Sequence, residues 1–261
     1  MDTESLQIHL NSKFASSYNN SSSDCTFNLP NIEIPLGHHI MLSIQNATIP
    51  YSFYNIDDNN NLICLEFGAI QIDERTNQRN VIWSGANPYH MTNGNYNAYQ
   101  LANHLAQILN LTVQYNSIIN KFIFSTDAEL EFRFTLQSTA SSILGMCNNL
   151  AYNTSTEKTL TSPYVINLAS KQCIYITSNY HTGSIDNVIS NNFSILCCIP
   201  LPNQPYSLIS YRNTGNFRTN LFSNLMSYIN IRLVDEKNNL VNLNGQHFNL
   251  TLQIDVMKFV E

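Results

Sequence analysis

The sequence predicts an all-β protein, built as a single eight-stranded jelly roll of two antiparallel sheets with two short inter-strand helices and an N-terminal arm. Three observations lead to this fold class. Apolar and polar residues alternate through most of the chain, which is typical of strands with one buried face. In two short segments, apolar residues recur at helical spacing instead. The clearest strands number about eight, as in a jelly roll of two Greek keys.

The first 36 residues are interpreted as an N-terminal arm with edge segments, and residues 37–261 as one jelly-roll domain. Residues 16–23 are all serine, tyrosine or asparagine, which indicates a flexible joint in the arm. Residues 25–30 end in proline and indicate an edge strand. We find no internal repeat, so the sequence does not predict a double jelly roll.

Within the domain, strands are predicted where apolar residues alternate with polar ones between turn-forming residues. The segment 193–200 is apolar on both faces and is therefore expected at the centre of a sheet. Residues 228–234 and 248–256 alternate most clearly and are interpreted as a long antiparallel pair that closes the fold. The other predicted strands are 40–45, 62–67, 80–83, 112–115, 121–125, 130–136, 164–168, 173–177 and 206–211.

The first predicted helix has a start and a stop signal. Asn97 can cap it, and Gln100, three residues on, can return the bond as a capping box. Asn110 can end it in the left-handed conformation. Its apolar side consists of Ala98, Leu101, Ala102, Leu105, Ile108 and Leu109.

The second predicted helix is shorter. Ser138 or Thr139 can cap it, and Ile143 and Leu144 are expected to face inward. Gly145 supplies the residue with positive φ that ends it.

Charged residues are scarce. They make up 11% of the chain, against about 25% in an ordinary soluble domain. A surface of neutral polar side chains can be buried against a neighbouring subunit without stranding charges, so the composition favours a protein that works in an assembly. A codon bias toward Asn and Ile explains the same composition equally well.

The charge and apolar patterns also exclude some function classes. The formal net charge is −6 and the basic residues are scattered, so direct nucleic-acid binding is not expected. No apolar run approaches the length of a membrane span, and the first residues lack the features of a signal peptide. The protein is therefore expected to be made in the cytoplasm, where its six cysteines stay as free thiols.

No residue is assigned to catalysis, to a cofactor or to a metal. The pair His38 and His39 could bind a metal, but a solvated turn is favoured because adjacent strand residues face opposite sides. Residues 57–58 could bind calcium, but a turn is favoured because no Gly and no downstream Glu complete a known loop. Cys197 and Cys198 could form a vicinal disulfide, although two thiols on opposite faces of a strand are favoured.

The aromatic residues Tyr51, Phe53 and Tyr54 allow two interpretations. They could line a sugar-binding surface, or they could pack within the protein or against another subunit. Packing is favoured, because the neighbouring sequence has no cluster of carboxylates and tryptophan.

Four sequence segments, in this order, carry a resemblance to a known family. They are residues 49–62, beginning Ile-Pro-Tyr-Ser-Phe-Tyr; residues 94–109, from Gly-Asn-Tyr into the first helix; Ile143-Leu144-Gly145; and residues 240–248 before the last strand. Together they resemble the single jelly-roll penton, or vertex, proteins of virophages, polinton-like viruses and large double-stranded DNA viruses. The resemblance implies two inter-strand helices. One lies between the strands conventionally lettered C and D in a jelly roll, and the other between those lettered E and F. Unlike larger vertex proteins, this chain is expected to lack room for a big insertion domain.

The resemblance implies a structural capsid protein, not an enzyme: a homopentamer at each fivefold vertex of an icosahedral virion. Its expected partners are other copies of itself, the major capsid protein of the surrounding capsomers and minor capsid proteins. The arm is expected to order on meeting these neighbours. Two alternatives remain open, namely a minor capsid protein of the same fold and a glycan-binding jelly-roll module used in host attachment.

Overall fold

The computed structural model describes residues 3–125, 131–148, 151–153, 159–169, 171–180, 194–201, 205–221, 223 and 225–258. The chain divides into two compact units. Unit 1 consists of residues 1–53 and 171–261, and unit 2 of residues 54–170. Unit 2 is therefore an insertion in the chain of unit 1. The sequence analysis places its boundary elsewhere, at residue 37, and its division into an N-terminal arm and one domain stays a prediction.

The described residues form eighteen strands and one α-helix. The helix, α1, covers Ala98–Leu109 and follows β7. The strands are β1 (Thr3–Asn11), β2 (Ser17–Ser21), β3 (Asp24–Glu33), β4 (His38–Pro50), β5 (Leu62–Ile72), β6 (Arg79–Trp83), β7 (Asn87–His90), β8 (Thr112–Asn116), β9 (Lys121–Ser125), β10 (Glu131–Phe134), β11 (Ala151–Asn153), β12 (Thr159–Thr161), β13 (Cys173–Ser178), β14 (Ser194–Pro200), β15 (Leu208–Arg212), β16 (Thr219–Leu221), β17 (Leu225–Val234) and β18 (Asn249–Lys258).

Unit 1 contains two antiparallel sheets. The first sheet has the order β1-β18-β4-β15, with β16 also on β4, and the second has the order β14-β13-β17-β3-β2. Without the short β2 and β16, unit 1 has eight strands, which can be renumbered 1 to 8 in chain order. One sheet then has the order 1-8-3-6 and the other the order 5-4-7-2. This arrangement is consistent with a jelly roll. The predicted all-β class is confirmed, whereas the predicted count of eight does not describe the whole chain.

Two of the predicted strand relations in unit 1 are wrong. The clearest predicted pair does not form, because β17 pairs with β13 and β3 while β18 pairs with β1 and β4. The strand expected at a sheet centre, β14, lies at an edge. The expected arm, over residues 3–33, forms strands of both sheets, and the tract at 16–23 forms β2 and the turn after it. Alternation tells which face of a strand is buried, but it does not tell which strand lies beside it.

The core of unit 1 lies between the inward faces of its strands. Along β4, the side chains of Ile40, Leu42 and Ile44 are fully buried, as the predicted alternation requires. Phe248 and Ile254 are buried in the same cluster. Removing a side chain of this size from water stabilises the fold by about 1.5–3 kcal/mol, so this face accounts for much of the stability of unit 1.

Unit 2 contains two antiparallel sheets and the helix. One sheet has the order β11-β10-β5-β6, with β7 also on β5, and the other has the order β12-β9-β8. A row of four phenylalanines runs through the core, with neighbouring ring centroids 6.3–6.4 Å apart: Phe122, Phe124, Phe132 and Phe134. The first two lie on β9 and the last two on β10, so this row packs the two sheets of unit 2 together.

Helix α1 confirms the first predicted helix. The Asn97 side chain accepts a hydrogen bond from the Gln100 backbone, the Gln100 side chain accepts one from the Asn97 backbone, and Asn110 has φ of 53°. The buried residues of the helix are Leu101, Ala102, Leu105 and Leu109. The helix lies in unit 2. It is the one α-helix of the described residues, so the implied pair of helices between jelly-roll strands is not confirmed.

The second predicted helix is a series of turns. Ile143 and Leu144 are buried as expected, and both donate their N–H to the carbonyl of Ala140. Gly145 has φ of +68°, as predicted. The helix does not form for two reasons. The Ser138 hydroxyl bonds to the Cys64 backbone of a neighbouring strand instead of capping a helix. In addition, a segment of so few residues cannot offset the cost of helix nucleation.

The predicted strand at 164–168 is also absent from the described residues. The N–H of Tyr164 donates to Gly145, that of Ile166 to Asn120, and that of Asn167 to Ile143. These three acceptors lie in two separate loops, so this segment connects loops of unit 2 instead of extending a sheet.

Candidate functional site

Two of the segments that carry the resemblance meet in unit 2. The N–H of Asn55 donates to the Asn95 side chain at 2.9 Å, and its amide donates to the Tyr96 carbonyl at 2.8 Å. The Tyr96 N–H returns a bond to Asn55 Oδ1 at 3.0 Å. Ile56 and Gly94 form a two-bond bridge beside them. We call residues 55–61 and 93–97 the Asn55 cluster. Both segments stand out in the sequence, and hydrogen bonds in the structure join them.

The acidic residues of the Asn55 cluster hold its turns. Asp57 Oδ1 accepts a bond from the Asn59 N–H at 3.0 Å, and Asp58 Oδ1 accepts one from the Asn93 amide at 2.6 Å. These bonds fit the predicted turn at 57–58. Among the described residues, no group of three or more His, Cys, Asp or Glu is arranged to hold a metal ion.

A histidine ties this cluster to helix α1. The Thr92 N–H donates to His104 Nε2 at 3.0 Å, and the imidazole stacks on the Tyr96 ring with centroids 5.4 Å apart. The Tyr96 hydroxyl in turn donates to the Thr92 carbonyl at 2.9 Å. The nitrogen that accepts the Thr92 bond must be unprotonated, and burial lowers the pKa of His104 below its ordinary value of 6.5. This contact is absent from our sequence predictions, because His104 has no local signal beyond its place on a helix.

We expect unit 2 to lose stability as the solution becomes mildly acidic. Because the folded-state pKa of His104 is lowered, the unfolded chain binds more protons, so the stabilisation is complete above the ordinary pKa and is lost as the pH falls through the folded-state pKa. The chain has one tryptophan, Trp83 of unit 2, so its fluorescence during denaturation measures this loss. His104→Gln keeps an acceptor and does not titrate. An equally steep pH dependence in that variant would contradict the assignment.

The aromatic residues before unit 2 pack inside unit 1. Tyr51 and Phe53 stack with ring centroids 4.3 Å apart, and Phe53 is buried with the Lys171 ammonium 5.7 Å from its ring centroid. Burial raises the pKa of Tyr51. Next to them, the Asn244 amide donates to the Ser52 carbonyl at 2.6 Å, which joins the first and last segments of the resemblance. This geometry leaves Phe53 no face for a sugar.

The cysteines are free thiols. Cys197 is buried and Cys198 exposed, in line with two thiols on opposite faces of β14. Burial raises the pKa of the Cys197 thiol, and it raises that of Cys25 to about 12. A thiol with a raised pKa is a poor nucleophile at neutral pH, so neither residue is poised for catalysis.

A buried carboxylate on the last strand forms an ion pair that the sequence does not indicate. Asp255 is fully buried, and its Oδ2 lies 2.9 Å from Nη1 of Arg218. The Ser5 hydroxyl donates to Oδ1 at 2.5 Å. These partners come from β1 and from the segment between β15 and β16, so only the folded sheet brings them together.

Replacing this carboxylate is expected to destabilise unit 1. Asp255→Asn leaves Arg218 without its counter-charge, and because that side chain is one-third exposed we expect a loss of about 2–3 kcal/mol, at the low end for a buried pair. Hydrogen exchange of β18 measures this effect, and hydrogen exchange of β5 measures that of the control variant. The more exposed pair of Glu66 and Arg133 provides the control, since Glu66→Gln should cost less than about 1 kcal/mol. Equal effects for both variants would contradict the prediction.

Among the described edge strands of unit 1, β1 is the longest. It pairs with β18 over nine residues without a register shift, and it contains no proline or lysine. Leu6 is 42% exposed on the face that buries Leu10. In contrast, β14 ends in Pro200, and both it and β2 have register shifts. Beside β1 lies a cleft of about 270 Å³ with a mixed lining, which includes Ile8, Phe14 and Asn28. A long strand edge that no described strand covers is a template for pairing with another chain.

Comparison with known proteins gives a likeness of fold. No family model and no curated protein matches the chain. Among solved structures, it is similar to the crystal structure of SeMet-labeled mavirus penton protein, with 12% sequence identity and a TM-score of 0.53. The alignment covers 98% of this chain and 100% of that chain, so the likeness extends through both units. The predicted resemblance is thus confirmed for the fold. Within the described residues, no helix is long and apolar enough to cross a membrane.

Proposed function

We propose that the chain is a structural protein of an icosahedral viral capsid and forms homopentamers at the fivefold vertices. The observation that carries this proposal is the likeness to the mavirus penton protein over 98% of this chain and 100% of that chain. A jelly roll alone supports many functions. The proposal is more specific because the alignment includes the inserted unit 2 as well as the two sheets of unit 1.

Two physical features support a role in an assembly. Only 11% of the residues are charged, so large parts of the surface can be buried without stranding ions. The open edge of β1, with the exposed Leu6, and the cleft beside it give unit 1 a surface that pairing with another copy would cover. In a closed ring, each subunit uses two different patches, one for each neighbour. We propose that β1 is one of them.

The proposal extends to the surroundings of the protein. Its partners are other copies of the chain, the major capsid protein of the neighbouring capsomers and minor capsid proteins. It acts in the virion without a cofactor, binds no nucleic acid directly, and is not an enzyme. The capsid belongs to a double-stranded DNA virus, and the protein is made in the host cytoplasm. Its mechanism is burial of complementary surfaces.

Sedimentation of the purified chain tests the oligomeric state. Analytical ultracentrifugation should give one species with the mass of a pentamer. A monomer at all accessible concentrations would overturn the proposal that the chain forms pentamers on its own. A particle map is the second test, since density for the chain between the major capsomers, and not at the vertices, would favour a minor capsid protein of the same fold.

A further inference from the structure

Unit 1 has a second concave surface, lined by hydroxyl, amide and imidazole side chains. It is a pocket of about 450 Å³ between the turn after β2 and the segment that precedes β18, and its lining includes Tyr18, Asn20, Asn242 and His247. No acid, lysine or arginine is among the described residues that line it. It is an open depression of the surface, in which Asn20 and Asn242 are exposed to solvent.

The two ring-bearing residues of this pocket are held in place by one buried serine. The Tyr18 hydroxyl donates to the Ser12 carbonyl at 2.5 Å, and the Ser12 hydroxyl bonds to His247 Nδ1 at 3.2 Å. That hydroxyl also accepts the Phe248 N–H at 3.0 Å. Because these bonds use Tyr18 Oη and His247 Nδ1, both rings are oriented before any ligand arrives. The Tyr18 side chain is nevertheless 45% exposed, which leaves ring surface for contact.

Several polar atoms of the pocket are available to a ligand. The Asn20 amide, Nδ2 of Asn242 and Nε2 of His247 make no hydrogen bond to another described residue. An amide offers both donors and an acceptor, and the free imidazole nitrogen can serve as either according to its tautomer. The pocket therefore combines one aromatic surface with separated hydrogen-bonding groups of both kinds.

This combination defines the class of ligand. A phosphate or carboxylate would find no lysine or arginine among the lining residues, and an apolar molecule would leave the amides unpaired. A sugar ring has an apolar C–H face for the tyrosine, and its hydroxyls both donate and accept. We propose that this pocket binds a neutral saccharide. This activity does not depend on the vertex function, and it would give the protein a means of attaching to glycans.

Saturation-transfer difference NMR on the full chain tests the site. The probes are a panel of neutral hexoses, N-acetylhexosamines and their β-linked disaccharides, with sialic acid and glucose 6-phosphate as charged comparisons. At least one neutral sugar should give a signal that the charged sugars do not compete away. Asn20 has φ of 62°, so Asn20→Gly keeps the backbone conformation while it removes the amide. This variant should weaken binding by about threefold to tenfold, the value of one hydrogen bond.

Two further variants make the outcome decisive. His247→Ala should weaken the same sugar by a similar factor, while Asn77→Gly should have no effect, because Asn77 is an exposed asparagine with φ of 53° in unit 2. Unchanged binding in folded Asn20→Gly would overturn the site. Absence of a signal from every neutral sugar, or preferential binding of a charged one, would overturn the ligand class. Neither result would bear on sedimentation as a pentamer, so failure of this inference is distinct from failure of the vertex proposal.

Discussion

Replacing Gly145 with alanine is expected to lower the free energy of unfolding of unit 2 by about 2–4 kcal/mol. Two effects combine. The residue has φ of +68°, a conformation that alanine adopts only with strain. An added Cβ would also lie 2.2 Å from the carbonyl oxygen of Tyr164, and that oxygen is fixed because the Tyr164 N–H donates to the Gly145 carbonyl at 3.0 Å. The added Cβ is attached to the backbone of residue 145 and meets the backbone of Tyr164, so neither segment can move away easily.

Gly85→Ala is the matched control. Gly85 lies in the same unit, an added Cβ there has no neighbour within 4 Å, and its φ is not in the positive range. This variant should leave stability within about 0.5 kcal/mol of the natural protein. Denaturant titration followed by Trp83 fluorescence compares the two variants. If Gly145→Ala were as stable as Gly85→Ala, the packing of residues 164–168 against the turn at 138–145 would be wrong.

Local signals in the sequence predict local structure well. Helix α1 begins and ends where Asn97, Gln100 and Asn110 indicate, because a capping box and a left-handed stop involve residues a few positions apart. The positive φ of Gly145 is another local feature that the sequence predicts, although the segment around it is a set of turns. There the Ser138 hydroxyl bonds to Cys64 on another strand, and a cap signal cannot reveal such a distant competitor.

Relations between distant segments could not be predicted in the same way. The alternation of β17 and β18 correctly shows that both are half-buried, but a pattern with a period of two residues gives no information about sheet partners. The same limit hides the insertion, since the strands of unit 2 alternate like those of unit 1. For the candidate sites, the members of the Asn55 cluster are visible in sequence as two motifs. The pair of Asp255 and Arg218 is not, because it exists only after β4, β16 and β18 have assembled.

The edge of β1 leads to a prediction about assembly. Leu6→Lys should leave unit 1 folded, because Leu6 is partly exposed at the end of a sheet and a lysine can extend its ammonium into water. In a ring that covers this edge, the ammonium would be buried without a partner at every subunit contact. Each contact should then lose about 2–4 kcal/mol, which shifts the pentamer to monomers. Sedimentation velocity of the variant, with circular dichroism as a test of folding, measures this change.

Leu36→Lys separates an edge effect from a general effect of added charge. Leu36 is fully exposed in the loop between β3 and β4, so a lysine there changes the net charge equally without touching the edge of β1. We expect this variant to remain pentameric. Dissociation of both variants would mean that charge in general opposes assembly, and a pentamer in both would place the subunit contact away from β1. Only selective loss in Leu6→Lys identifies the unprotected edge as the surface that each subunit offers to its neighbour, because the two variants differ in position and not in chemistry.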